Sequence, residues 1–145
     1  MNNNQLITRD IFIKRLTNLC LRSGLSGFPK DEIDQHILLK SAVLVIVKTD
    51  NASEQEINEK LKRWINEVAQ IDKMDHGTVR RWLIDTGYLT RAKDGSSYQV
   101  SPAGGRVQMF DPSIDQLDVV AMIANAREEI ARRKREYLSS VRGRD

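Results

Sequence analysis

The run from Asp75 to Val100, DHGTVRRWLIDTGYLTRAKDGSSYQV, constrains the fold more than any other part of this chain. Asp75 is a helix N-cap residue, since its short side chain can accept the orphan N–H groups of a first helical turn. At about 100° per residue, Val79, Trp82, Leu83 and Thr86 fall on one side of the helix. Gly77, Arg80, Arg81 and Ile84 fall on the other. Gly87 stops the helix. Tyr88 to Arg91 and Ser97 to Val100 then read as short strands joined at Asp94-Gly95, a pair that supplies the positive φ of a hairpin turn. A capped helix bearing two arginines and feeding into a hairpin is how a winged helix-turn-helix ends. In that fold the helix enters the DNA major groove and the hairpin is the wing.

The sequence before this unit is helical. Asp10 is expected to cap a helix to about Arg22, with Phe12, Leu16, Leu19 and Cys20 on one face and Gly24 as the stop. A second helix starts near Asp31 and carries Ile33, Ile37, Leu38 and Leu44. Its end, AVLVIV, fits a buried helix or a short strand by periodicity alone; a helix to about Val47 is the expectation. Thr49-Asp50-Asn51 reads as a turn, and Ser53 with Glu56 forms a capping box. Ile57, Leu61, Trp64, Ile65 and Val68 make the buried stripe of the helix that follows, and Gln70 to Met74 is its connector. After the hairpin, SPAGGRVQMFDP reads as a loop, and a last helix begins near Ser113 or Asp115. The expected division is an N-terminal helical extension over 1–27, a winged-helix-like core over 28–100, a linker loop over 101–112, and an amphipathic C-terminal helix with a basic tail over 113–145. The fold class is thus mostly α with a small β-hairpin: a winged helix-turn-helix-like core with added N-terminal and C-terminal helices.

Charge sharpens the functional question. The chain carries +3 overall with a pI of about 9.1, a mild bias. Residues 1–74 are nearly balanced, but His76 to Lys93 holds Arg80, Arg81, Arg91 and Lys93 against Asp85 alone. The tail gathers Arg132, Arg133, Lys134 and Arg135 in a row. Such a distribution permits nucleic-acid binding without establishing it. The candidate nucleic-acid contacts are His76, Gly77, Arg80 and Arg81 at the groove, with Arg91 and Lys93 on the wing. The competing structural reading pairs Arg81 with Asp85 at i,i+4 and Arg80 with a neighbouring acid. Asp75 also places negative charge where a phosphate would sit. In the tail, Glu128 in register with Arg132 and Glu129 with Arg133 make the basic run a solvated helix face. The apolar first half of the last helix needs a partner: it folds back on the core, or it pairs with its copy in a dimer through Ile114, Leu117, Val120, Ala121 and Ala124.

Two separated motifs also carry a family resemblance. Glu56-Ile57-Asn58-Glu59-Lys60-Leu61-Lys62-Arg63 and the run from Asp75 to Tyr98, with its Asp-Gly-Ser-Ser-Tyr hairpin, resemble the bacterial domain of unknown function 2087. Phe28-Pro29-Lys30 and the following helix look like its start, so the resemblance covers roughly Phe28 to Val100. It implies no established activity. Members that stand behind a helix-turn-helix domain imply transcriptional regulation by association only.

Other chemistry finds little support. His36 and His76 lie far apart, and no H-x-x-x-H, C-x-x-C or HExxH spacing exists, so no metal and no cofactor is expected. The carboxylates form no evident acid/base pair, and no phosphate-binding or nucleophile-elbow motif is present; the expectation is a non-enzyme. Cys20 is the only cysteine, no signal peptide is visible, and the longest apolar run, Ala42 to Val47, is far too short to cross a bilayer. A cytoplasmic protein that meets no membrane follows. The first expectation is a small dimeric DNA-binding regulator of transcription acting on double-stranded DNA. The alternative is a winged-helix protein–protein interaction module that never touches DNA. The two differ in salt dependence: phosphate binding falls steeply with salt.

Overall fold

Local capping sets the helix boundaries of this protein, and one helix buried on every side over most of its length sets its core. The computed structural model describes residues 6–22, 24–46, 51–71, 74–100 and 110–142. Helix α1 spans Arg9–Thr17 and continues as a π turn over Asn18–Arg22. Its cap is Thr8, not Asp10: the Thr8 hydroxyl accepts from the Ile11 N–H at 3.2 Å, and Asp10 sits inside the first turn. Phe12, Leu16 and Cys20 are buried as expected, while Leu19 is half-exposed.

Helix α2, Glu32–Ile46, starts at Asp31, whose carboxylate accepts from the Asp34 N–H at 3.0 Å. The stretch AVLVIV is helical as far as Ile46, and the expected end at Val47 lies outside the described residues. Of the eleven positions from His36 to Ile46, all but Leu44 are buried. A helix buried all round is a central helix, and α2 packs against α1, α3 and α5. Its polar residues are satisfied inside the core. The Ser41 hydroxyl donates to the Leu38 carbonyl at 2.6 Å and accepts from the Trp64 indole N–H at 2.9 Å. The Lys40 ammonium reaches Asp115 at 2.7 Å and lies 5.5 Å from the centre of the Phe110 ring.

Helix α3, Glu54–Trp64, has the full capping box: Ser53 accepts from the Glu56 N–H, and Glu56 from the Ser53 N–H. It buries Ile57, Leu61 and Trp64, then runs on as a π turn over Ile65–Ala69 with Val68 inside. Gln70, at φ 49°, ends it. The expected connector, Gln70 to Met74, is described except at residues 72 and 73; within it Ile71 is buried.

Helix α4 spans His76–Asp85, strand β1 Leu89–Arg91 and strand β2 Tyr98–Val100, with Leu89 opposite Val100 in an antiparallel pair. Gly87, at φ 87°, turns the chain from α4 into β1, and Gly95, at φ 75°, turns the hairpin. A third segment joins this sheet. Ala52 and Tyr98 exchange both backbone hydrogen bonds, at 2.9 and 2.8 Å. The order α2, Ala52 bridge, α3, α4, β1, β2 is winged helix-turn-helix-like, with a short third edge at the wing that periodicity did not announce.

The flanking segments are not appendages. Phe12, Leu16, Ile114, Val119 and Ile123 belong to the same buried cluster as Ile37, Leu61 and Leu83. Ile7 bridges Phe110, and Phe12 meets the Phe110 ring edge-on at 6.3 Å. Of the expected loop over 101–112, residues 101–109 lie outside the described residues. Asp111 caps a 3-10 turn over Pro112–Gln116, accepting from the Ser113 N–H at 2.9 Å. The last helix therefore starts later than expected: α5 spans Val119–Arg142, with Asp118 accepting from the Ala121 N–H at 3.1 Å. Among the described residues, no helix is long and apolar enough to cross a membrane.

One buried polar pair has a measurable consequence. His36 Nδ1 lies 2.7 Å from the Tyr88 hydroxyl, both groups buried, joining α2 to the entry of β1. Burial pushes the imidazole below its ordinary value of 6.5, partly offset by Glu32, and pushes the phenol up. The unfolded chain therefore binds more protons than the folded one just below the ordinary histidine value. The stability His36 supports is present above that value and falls away as pH drops through it. Urea denaturation from about pH 7.5 to about pH 5.5 should show stability declining on acidification, with a shallower decline in His36→Gln. An unchanged slope in that variant would assign the decline elsewhere.

Candidate nucleic-acid interface

Helix α4 is held on three sides, and that decides which of its residues face solvent. Val79 and Leu83 are fully buried beneath it. On one flank Trp82 lies against Phe28, from the loop before α2, with ring centres 3.9 Å apart and the planes tilted by 42°. On the other flank α4 packs against α3 and β1. The exposed strip left over is Thr78, Arg81 and Asp85, with the cap Asp75 at its start.

This differs from the expected outward face of Gly77, Arg80, Arg81 and Ile84. Of those four only Arg81 is exposed; Ile84 is half-buried against the core. Arg80 turns back onto α3. Its guanidinium donates to the Asn58 side-chain carbonyl and lies 3.5 Å from the Glu54 carboxylate, leaving the side chain 23% exposed. Glu54 also accepts from the Tyr98 hydroxyl at 3.2 Å. One carboxylate at the start of α3 thus ties α4 to the hairpin. Arg80 does pair with an acid, but one brought from α3 rather than a neighbour along its own helix. The expected Arg81–Asp85 pair is not formed among the described residues, which leaves the Arg81 charge facing solvent.

The start of α4 is strongly capped. Asp75 accepts from the Thr78 N–H at 2.8 Å, and hydrogen bonds from Thr78 hold its carboxyl below the usual range. The helix dipole is answered there by a carboxylate rather than left open to a phosphate. Gly77 serves that cap: a Cβ at this position would meet Asp75 Oδ1 at 3.3 Å. His76 is the half-buried first residue of α4.

On the wing, Arg91 lies with its guanidinium 6.0 Å from the centre of the Tyr98 ring and folds over the hairpin turn. A Cβ at Gly95 would stand 2.6 Å from Arg91 Nη2, so the turn is closed by a guanidinium as well as by the Gly95 N–H bond to the Ala92 carbonyl. Lys93 is exposed at the tip. Next to it Asp94 accepts from the Ser96 hydroxyl and N–H, which lower its carboxyl, so the tip is not purely basic. Arg80 also lies 6.0 Å from the Tyr98 ring centre. A guanidinium from the helix and one from the wing therefore converge on one tyrosine, within roughly 12 Å of each other.

Periodicity assigned no role to Glu54, Asn58, Tyr98 or Phe28, which hold this unit together. Asn58 and Tyr98 did stand in the two quoted motifs, the one signal that could have flagged them. The expected dimer surface fares differently. Ile114 is fully buried in the chain's own core, Leu117 and Val120 are half-buried against it, and only the small Ala121 and Ala124 are exposed. Cys20 is buried and its thiol pushed up to about 12. Among the described residues no three His, Cys, Asp or Glu side chains gather as metal ligands.

A family model described as an uncharacterized protein conserved in bacteria (DUF2087) matches residues 24–100, more than half of the chain. No curated protein and no solved structure matches. The match begins just before Phe28 and ends with β2, so α1 and α5 lie outside it although both help to build the core.

Proposed function

We propose that this chain, which belongs to that family of uncharacterized bacterial proteins, is a non-enzymatic winged-helix protein that binds double-stranded DNA and regulates transcription. The observation that supports the reading is the exposure of Arg81 on α4 together with Arg91 and Lys93 on the wing, two elements that Arg80 and Arg91 tie together around Tyr98. Arg81, with Thr78 and Asp85 on its strip, is the residue available to base edges or phosphate. Arg91 and Lys93 supply backbone contact, which positions a protein on the duplex without reading sequence. Arg80, Gly77 and His76 shape α4 rather than face the groove.

Fluorescence anisotropy with a labelled mixed-sequence duplex across a salt series tests this. Affinity should fall linearly with salt on logarithmic axes. Arg81→Ala and Lys93→Ala should each reduce the slope by about 1, the signature of a lost phosphate contact. Absence of binding even at low salt removes the reading.

A second reading is favoured by one specific feature, the ionised Asp75 at the α4 N-terminus together with the mixed charge of Thr78, Arg81 and Asp85. Such a strip suits a protein surface of mixed sign. Under it the duplex would not bind, and Arg81→Glu would leave the chain's behaviour toward DNA unchanged.

A further inference from the structure

We propose that the free end of α5 pairs with the same segment of a second copy, antiparallel and about a two-fold axis. This surface is distinct from the Ile114, Leu117 and Val120 face, which the chain covers itself. Every residue from Arg132 to Arg142 is exposed, so the last part of α5 stands roughly 16 Å beyond the core at 1.5 Å per residue. Five large apolar side chains are exposed among the described residues, and three of them, Tyr137, Leu138 and Val141, sit on this end.

Their spacing is ordered. Ile130, Lys134, Tyr137 and Val141 recur at intervals of four, three and four, which lines them up on one stripe with Leu138 at its edge. The stripe continues the buried one of Ile123 and runs past the edge of the core. It is thus a helix–helix seam with one side missing.

The composition of the stripe selects the occupant. Lys134 stands in the middle of the apolar positions, outside the ion pairs of the segment, which join Arg132 to Glu129 and Glu136, Arg133 to Glu129, and Arg135 to Glu128. A parallel pair would set Lys134 against Lys134 and stack the two runs from Arg132 to Arg135. An antiparallel pair with Ile130 opposite Val141 sets each Lys134 opposite the partner helix's tyrosine. There its stem packs on the ring and its charge meets the π face. The same two-fold brings the acidic start, Glu128 and Glu129, toward the basic end at Arg142. A single polar residue in an apolar seam is a known way of choosing register, and here it matches charge and packing at once.

Sedimentation of the full chain over a dilution series should show a monomer–dimer equilibrium. Tyr137→Glu with Val141→Glu, exposed positions given a good helix former, should weaken it by about a hundredfold, because each dimer loses four buried side chains. Circular dichroism should show an unchanged fold. Ile130→Cys with Val141→Cys should form an intermolecular disulfide between the two introduced positions on oxidation, whereas neither single variant should. A monomer at every concentration, a dimer indifferent to the glutamates, or cross-linking by Val141→Cys alone would each overturn the proposal; the last would mean a parallel pair. None of these outcomes depends on DNA binding.

Discussion

Trp64→Ala is expected to destabilise the protein by about 3–5 kcal/mol, the range for truncating a fully buried aromatic residue. Trp64 has 0% exposure and stands where α3 meets α2. Alanine leaves a cavity that the surrounding Leu and Ile side chains fill only in part, and it takes away the donor that Ser41 accepts from on the central helix. Domains of this size are stable by roughly 5–15 kcal/mol, so the variant should lose much of its margin and unfold at far lower urea concentration. Trp64→Phe should fall between the two, since it keeps most of the volume and loses the N–H. Circular dichroism is the suitable probe, because Trp64 is itself one of two tryptophans. A cost under about 1 kcal/mol would mean that this site is not a packed core position.

The second large effect concerns Arg80. Arg80→Ala is expected to cost about 1.5–3 kcal/mol, the range for a hydrogen bond to a charged group, by breaking its bond to Asn58 and its approach to Glu54. Asn58→Ala should cost less, because Arg80 keeps its approach to Glu54, and the double variant little more than Arg80→Ala, since the Arg80–Asn58 bond is shared. If DNA binds, Arg80→Ala should leave the salt slope intact while lowering stability, the reverse of Arg81→Ala. A variant as stable as the parent that loses about one unit of slope would make Arg80 a phosphate contact. The comparison separates an arginine that aims the helix from one that touches the ligand. Helical periodicity could not draw this distinction, because it places both arginines on the same outward face.

The features legible in the chain share a physical character: each is settled within a few residues. The Ser53–Glu56 box and the Asp75 cap are side-chain-to-backbone bonds three residues long. Asp94-Gly95 favours a turn, because glycine tolerates the positive φ, 75° at Gly95. The stripe of Ile57, Leu61, Trp64 and Val68 follows from helical geometry and the cost of leaving apolar surface in water. Local sequence is ambiguous where two local solutions compete. Thr8 and Asp10 are both fair caps. Asp111, Asp115 and Asp118 all stand near the start of α5, and Pro112 draws the chain into a short 3-10 turn first.

Other features depend on residues far apart in the chain. Lys40 is acceptable in the core because Asp115, seventy-five residues away, reaches it. Ala52 becomes a sheet edge only when Tyr98 arrives beside it. A helical wheel divides α4 into two halves, but the core beneath it, Phe28 on one flank and α3 with β1 on the other cover three sides, so Thr78 and Asp85 are exposed while Arg80 and Ile84 are not. Ile114 looked available for a partner until the chain's own core took it, and the overhanging end of α5 is defined only by where that core stops. Capped helices, the hairpin and the family can be read along the chain, because hydrogen bonds and periodicity over one or two turns are enough to specify them. Which arginine faces solvent and which apolar stripe lacks a partner are set by folding, because exposure depends on what packs alongside each helix.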